Sequence, residues 1–99
     1  MARIQGLTEV YLTGDTLLKS EGAVEVFSVV LTAEGATAGQ KIVFRNGTTG
    51  GAQPLMDLVV EVANGSWQFE FPNGKRFESG CYVDFQGAAG KIHLALTYK

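Results

Sequence analysis

Apolar and polar residues alternate along most of this chain with a period of two, the mark of strands that bury one face. In residues 66–71 (SWQFEF), Trp67, Phe69 and Phe71 share one face, and Ser66, Gln68 and Glu70 share the other. In residues 56–62 (MDLVVEV), Met56, Leu58, Val60 and Val62 are expected inside, with Asp57, Val59 and Glu61 outside. Residues 41–45 (KIVFR) bury Ile42 and Phe44 and turn Lys41, Val43 and Arg45 outward. Residues 81–86 (CYVDFQ) place Cys81, Val83 and Phe85 in the core and Tyr82 and Asp84 outside. Residues 91–98 (KIHLALTY) bury Ile92, Leu94 and Leu96 and expose His93, Ala95 and Thr97. A short first strand covers residues 9–13 (EVYLT). Only residues 23–33 (AVEVFSVVLTA) break the alternation, because Val24 and Val26 fit one face while Phe27, Val29 and Leu31 fit the other. A bulge near Phe27, or burial of both faces against a partner subunit, would account for this.

Glycines punctuate these runs: there are 13, against two prolines. Asn64-Gly65 predicts a hairpin turn between the strands at 56–62 and 66–71. Residues 87–90 (GAAG) predict a second hairpin that joins the last two strands. No helix of any length is expected, since residues 16–19 (TLLK) are too few and lie between Gly14 and Gly22. The pattern predicts an all-β chain, a small antiparallel β-sandwich of about seven strands, jelly-roll-like or immunoglobulin-like. Residues 9–99 form one domain, and residues 1–8 are an arm or a frayed segment.

Charge narrows the function. A formal net charge of −2 argues against a nucleic-acid partner, which requires a basic face. Lys75-Arg76 reads as a solvated turn. A single cysteine excludes an internal disulfide. No apolar run reaches the ~18 residues of a membrane span. The N-terminus lacks the apolar core of a signal peptide, so folding in a cytoplasm is expected, and Asn46-Gly47-Thr48 and Asn64-Gly65-Ser66 read as turns rather than glycosylation acceptors. Only 18% of residues are charged, and several apolar residues fall where the alternation points outward. Phe27, Val29, Val43, Val59, Tyr82 and Ala95 are therefore the candidate residues for contact with another subunit.

Catalytic chemistry finds little material. Cys81 and His93 are the only residues of their kinds, and alternation sends them to opposite faces of the last two strands. A thiol nucleophile and its base must come within about 3 Å, so no active site is expected there. One histidine and one cysteine cannot furnish a transition-metal site within a single chain; copies gathered on a trimer axis are the remaining route. Glu25, Asp57, Glu61, Glu70 and Asp84 read as scattered outward carboxylates. No cofactor is implied, and the chain is not expected to be an enzyme.

The C-terminal third carries a resemblance. Phe71-Pro72, the turn at Gly74, Phe77, Gly80 before Cys81-Tyr82-Val83, the small-residue turn at 87–90 and the alternating run 91–98 closing in Tyr98 follow one another in a fixed order. Residues 43–51 (VFRNGTTGG) add a strand ending in Asn-Gly before a Thr/Gly-rich loop. This succession resembles small β-sandwich virion proteins of tailed bacteriophages, over roughly residues 8–99. Cys81 stands where leucine is usual and Asn46 where aspartate is usual. The resemblance implies a non-enzymatic structural protein that decorates or cements the capsid as a homo-oligomer, a trimer above all. Its partners would be further copies and the major capsid protein or another virion component. Assembly in the host cytoplasm and residence in the virion follow. A neck or head-tail connector component is the related alternative. A glycan- or receptor-binding module of a fibre is the other, with Tyr82 and Asp84 as its first candidates and Phe77 the next.

Overall fold

Alternation resolves into eight strands, and the computed structural model describes residues 6–88 and 91–99. They are β1 (Thr8–Leu12), β2 (Thr16–Leu17), β3 (Val24–Glu34), β4 (Lys41–Asn46), β5 (Gln53–Val59), β6 (Asn64–Phe77), β7 (Cys81–Asp84) and β8 (Ile92–Tyr98). The described residues contain no helix. Two four-stranded antiparallel sheets form, in the orders β1-β8-β3-β6 and β2-β7-β4-β5. Within them the first strand pairs with the last, the second with the seventh, the third with the sixth and the fourth with the fifth. The chain thus behaves as one long hairpin, doubled back at the β4–β5 turn and then rolled up so that β8 meets β3 and β7 meets β4. That connectivity is a jelly roll.

This topology corrects both expected hairpins. Asn64-Gly65 does not turn the chain between neighbouring strands. Both residues lie inside β6, opposite Glu34 and Ala33 of β3, while β5 belongs to the other sheet. Likewise β7 and β8 lie in different sheets and do not pair as a hairpin; residues 89 and 90 of the expected turn lie outside the described residues. The tight hairpin of the fold is β4–β5. Its loop requires glycine at position 47, where an added Cβ would sit 2.5 Å from that of Ala52. The expected arm also shortens at its inner end, because Thr8 already pairs with Tyr98.

The irregular third strand holds a bulge, one of the two explanations its pattern allowed. Pairing slips between Val26 and Ser28, leaving Phe27 as the extra residue against β8. On the other side, β6 runs from Glu70 to Lys75 across the same gap, so residues 71–74 (FPNG) stand opposite Phe27 without partners in the ladder. The slip changes parity, so Val24 and Val26 before it and Val29, Leu31 and Ala33 after it all reach the same core. Gly74 adopts φ +80° beneath the Phe27 ring, where a Cβ would lie 3.1 Å from Cζ. Any other residue there would meet both backbone strain and the ring.

The core lies between the sheets. Val24, Val26, Val29, Leu31, Phe77, Ile92 and Leu94 of the first sheet meet Ile42, Phe44, Leu58, Cys81 and Val83 of the second. Phe44 and Phe77 bridge the layers with ring centroids 6.3 Å apart. Hydrogen bonds tie the loops across. The Tyr98 hydroxyl donates to the Leu18 carbonyl at 3.0 Å, and the Phe85 N–H donates to Asp15 Oδ1 at 2.8 Å.

Candidate assembly interface

Cys81 and His93 are kept apart by the topology itself, since β7 and β8 belong to different sheets. Cys81 is fully buried in the core, and burial pushes its thiol up to about 12. A thiol so shifted is no nucleophile at neutral pH. His93 lies on the outer face of the first sheet, its ring centroid 5.7 Å from that of Tyr11. The separation is the one expected, though the reason is two sheets rather than two faces of one hairpin.

The outer face of the second sheet is closed by its own charges. Arg45 Nε and Nη2 both reach Asp84 Oδ2 at 3.1 Å, and Nη1 donates to the Ala52 carbonyl at 2.9 Å. The pair is largely shielded, with side chains 15% and 14% exposed. Burial pushes the Asp84 carboxyl up. Hydrogen bonds from the Gln86 backbone, Arg45 and the Gln86 amide, together with the Arg45 charge, outweigh that and hold it below its ordinary value. Asp84 is therefore committed to Arg45 and Gln86. Tyr82 is half-buried, with the loop glycine Gly50 against its ring. The first two candidates for a glycan site, Tyr82 and Asp84, are thus half-buried and engaged within the chain, and Phe77, the next, is wholly buried.

The six expected interface residues do not form one patch. Val29 is a core residue, fully buried between the sheets. Val43 does face outward from β4, between Asp84 and Asp57, yet it is covered within the chain and only 3% exposed. Phe27 is half-buried over Gly74 and Tyr82 half-buried under the β4–β5 loop. Val59 and Ala95 are exposed, on the second and first sheets respectively.

The largest apolar exposure lies at one open edge of the sandwich. β5 ends the second sheet and β6 ends the first. They flank a shallow groove of about 240 Å³ lined by Asp57, Leu58, Val59, Glu61, Trp67 and Phe69. Val59 in the groove is 52% exposed, and Leu55 of β5 and Val62 just after it are 41% and 53% exposed. Trp67, Phe69 and Phe71, expected wholly inside, are only half-buried because no strand covers β6. Val62, expected inside, follows the end of β5 and points out of the core. Asp57 and Glu61 supply a polar rim, and Asp57 also pairs with Lys41 at 3.7 Å. An unpaired strand edge with exposed apolar side chains is a template for association.

A second exposed area is the outer face of the first sheet. Its middle row, in register, is Tyr11, Ala95, Val30 and Gln68. Tyr11 is 64% exposed. Above and below the row stand hydroxyls, with Ser28 bonded to Thr97 at 3.0 Å and Thr32 to Ser66 at 3.3 Å. A shallow depression of about 370 Å³ runs along Glu9, Tyr11, Ser28, Val30, Ala95 and Thr97.

Alternation missed the edge because it reports which face is buried and not where a strand sits in its sheet. A usable signal was present. The chain's two prolines, Pro54 and Pro72, both fall in edge strands, where a missing N–H breaks no ladder. Among the described residues no cluster of three or more His, Cys, Asp or Glu side chains is placed to hold a metal ion. No protein-family model, curated protein or solved structure matches this chain.

Proposed function

We propose that this chain is a non-enzymatic structural component of a tailed-phage virion, which decorates or cements the capsid as a homotrimer. The observation that carries the reading is the apolar edge formed by Leu55, Val59 and Val62 beside the Trp67–Phe69 groove. A surface with an apolar centre and a polar rim has the anatomy of a subunit contact. A cyclic trimer needs two different surfaces on each copy, so that the front of one meets the back of the next. The edge is one, and the low-charge row of Tyr11, Ala95 and Val30 on the first sheet is the other. The part of the second sheet's outer face around the Arg45–Asp84 pair is left to solvent or to the particle.

The capsid assignment rests on the resemblance in residues 71–99 and on a jelly-roll topology, an architecture used by viral capsid and lectin domains alike. Binding alone is the mechanism, and burial of the edge adds stability that the isolated domain lacks. The test is a pair of substitutions, Val59→Glu on the edge and Ala95→Glu on the sheet face. Each should reduce the solution mass to that of a monomer while leaving the β-sheet circular dichroism intact. Particles assembled without the protein should lose resistance to heat and to low salt. Unchanged mass in both variants, or unchanged particle resistance, would overturn the reading.

A further inference from the structure

Three Asn-Gly pairs occur in the chain, at 46–47, 64–65 and 73–74. Asparagine is thermolabile, and a following glycine makes it most so, because the glycine nitrogen has no β-carbon beside it to hinder attack on the asparagine side chain. By sequence alone the three pairs are equivalent. The fold makes them different.

Asn46 is held. Its Oδ1 accepts the Ser79 N–H at 2.8 Å, and the Gly47 N–H that would have to attack is shared between the Arg45 and Gly80 carbonyls, each at 3.1 Å. Asn64 is held as well. Its Oδ1 accepts the Gly35 N–H at 2.9 Å, and Asn64 and Gly65 are both in register with β3. Asn73 is exposed, and its side-chain amide has no hydrogen-bond partner among the described residues. It sits in the 71–74 bulge of β6, where neither it nor Gly74 has a ladder partner. Freedom to rotate both the side chain and the peptide is what cyclisation requires.

We propose that Asn73 is a modification site, deamidated spontaneously through attack by the Gly74 backbone nitrogen, with solvent water as the second reactant. The Gly74 nitrogen gives up its proton and bonds to the Asn73 side-chain carbonyl carbon; that carbon releases its amino group as ammonia, leaving a five-membered succinimide. Water then adds to either ring carbonyl and the C–N bond there breaks. Opening at one carbonyl yields aspartate, and opening at the other yields isoaspartate, whose main chain is one carbon longer. Either product lowers the formal net charge of −2 by one. The change falls beside Phe27 and Glu25, which already lie 3.1 Å and 3.4 Å from the place a Gly74 Cβ would take. Time-dependent modification is thereby directed to the bulge that sets the register of β3.

The test incubates the folded protein in mildly alkaline buffer and maps aspartate and isoaspartate by peptide mass spectrometry and ion exchange. A parallel sample is unfolded in guanidinium chloride. In the folded protein Asn73 converts first, with Asn46 and Asn64 still intact when half of Asn73 has reacted. In the unfolded chain the three convert at comparable rates. Asn73→Gln removes the early acidic species and leaves the other two sites unchanged. Conversion of Asn46 or Asn64 before or alongside Asn73 in the folded protein would overturn the proposal, as would an Asn73 that survives folded while the unfolded chain reacts.

Discussion

Replacing Phe77 by alanine is the most searching perturbation of the sandwich. Phe77 closes β6 in the first sheet and is wholly buried; Phe44, also wholly buried, rises to meet it from β4 of the second. Their centroids lie 6.3 Å apart at 36°, within the range of a favourable ring contact. A buried Phe→Ala change costs about 3–5 kcal/mol through lost burial and the cavity left behind. A domain of this kind holds about 5–15 kcal/mol in total, so F77A should lose at least about a fifth of it. The melting temperature should fall by at least ~12 °C, taking about 4 °C per kcal/mol as the lower bound. Urea unfolding followed by circular dichroism gives the free energy directly. F44A should cost a similar amount. The double variant should be less destabilised than the sum, by about 0.5–1.5 kcal/mol, because the ring contact is lost only once. A loss below ~1 kcal/mol in F77A would mean that Phe77 is not enclosed between two sheets. Additivity within ~0.5 kcal/mol would mean that the rings do not meet and that the layers pack otherwise.

Further outcomes follow from the cross-links and the ion pair. Tyr98→Phe removes the hydroxyl's bond to the Leu18 carbonyl and should cost about 1 kcal/mol in urea unfolding; no loss would mean that this tie between the layers is not formed. Asp84 has a folded pKa below its ordinary value, so its stabilisation is complete above about pH 4 and is lost as pH falls through the folded value. The stability gap between the natural protein and D84N should therefore be flat near neutrality and close in acid, and a gap that persists in strong acid would contradict the Arg45 pairing. Cys81, with its thiol pushed up to about 12 by burial, should resist a thiol reagent at neutral pH until the protein unfolds; rapid labelling of the folded chain would place it outside the core.

The sequence was most legible where one face of a strand meets the core. Ile42, Phe44, Val83, Phe85, Ile92, Leu94 and Leu96 lie where alternation puts them, because a period of two leaves no other assignment once one face is apolar. The break at Phe27 was legible as a break, and a bulge is its cause. Pairing was not legible. Asn64-Gly65 has the composition of a hairpin turn, yet the long β3–β6 ladder absorbs it and extends β6 through Pro72 to Phe77. Local turn preference amounts to a few tenths of a kcal/mol up to about one, and a sheet ladder of many residues overrides it. The same limit hid the separation of β7 and β8 into two sheets, since each pairs with strands three to seven places earlier in the chain. Val43 and Val29 show two ways an apparently outward apolar residue disappears, one covered within the chain on the outer face of its sheet and one through a register slip. The open edge at Leu55, Val59 and Val62 was hidden for a related reason, as alternation is silent on which strands end a sheet.

The central claim is that the exposed edge is a contact surface between copies. Light scattering on the purified protein, over a range of concentrations, measures this most directly. The account predicts a mass three times that of the 10.6 kDa chain, reduced to one chain by Val59→Glu. A single-chain mass at every concentration would contradict it.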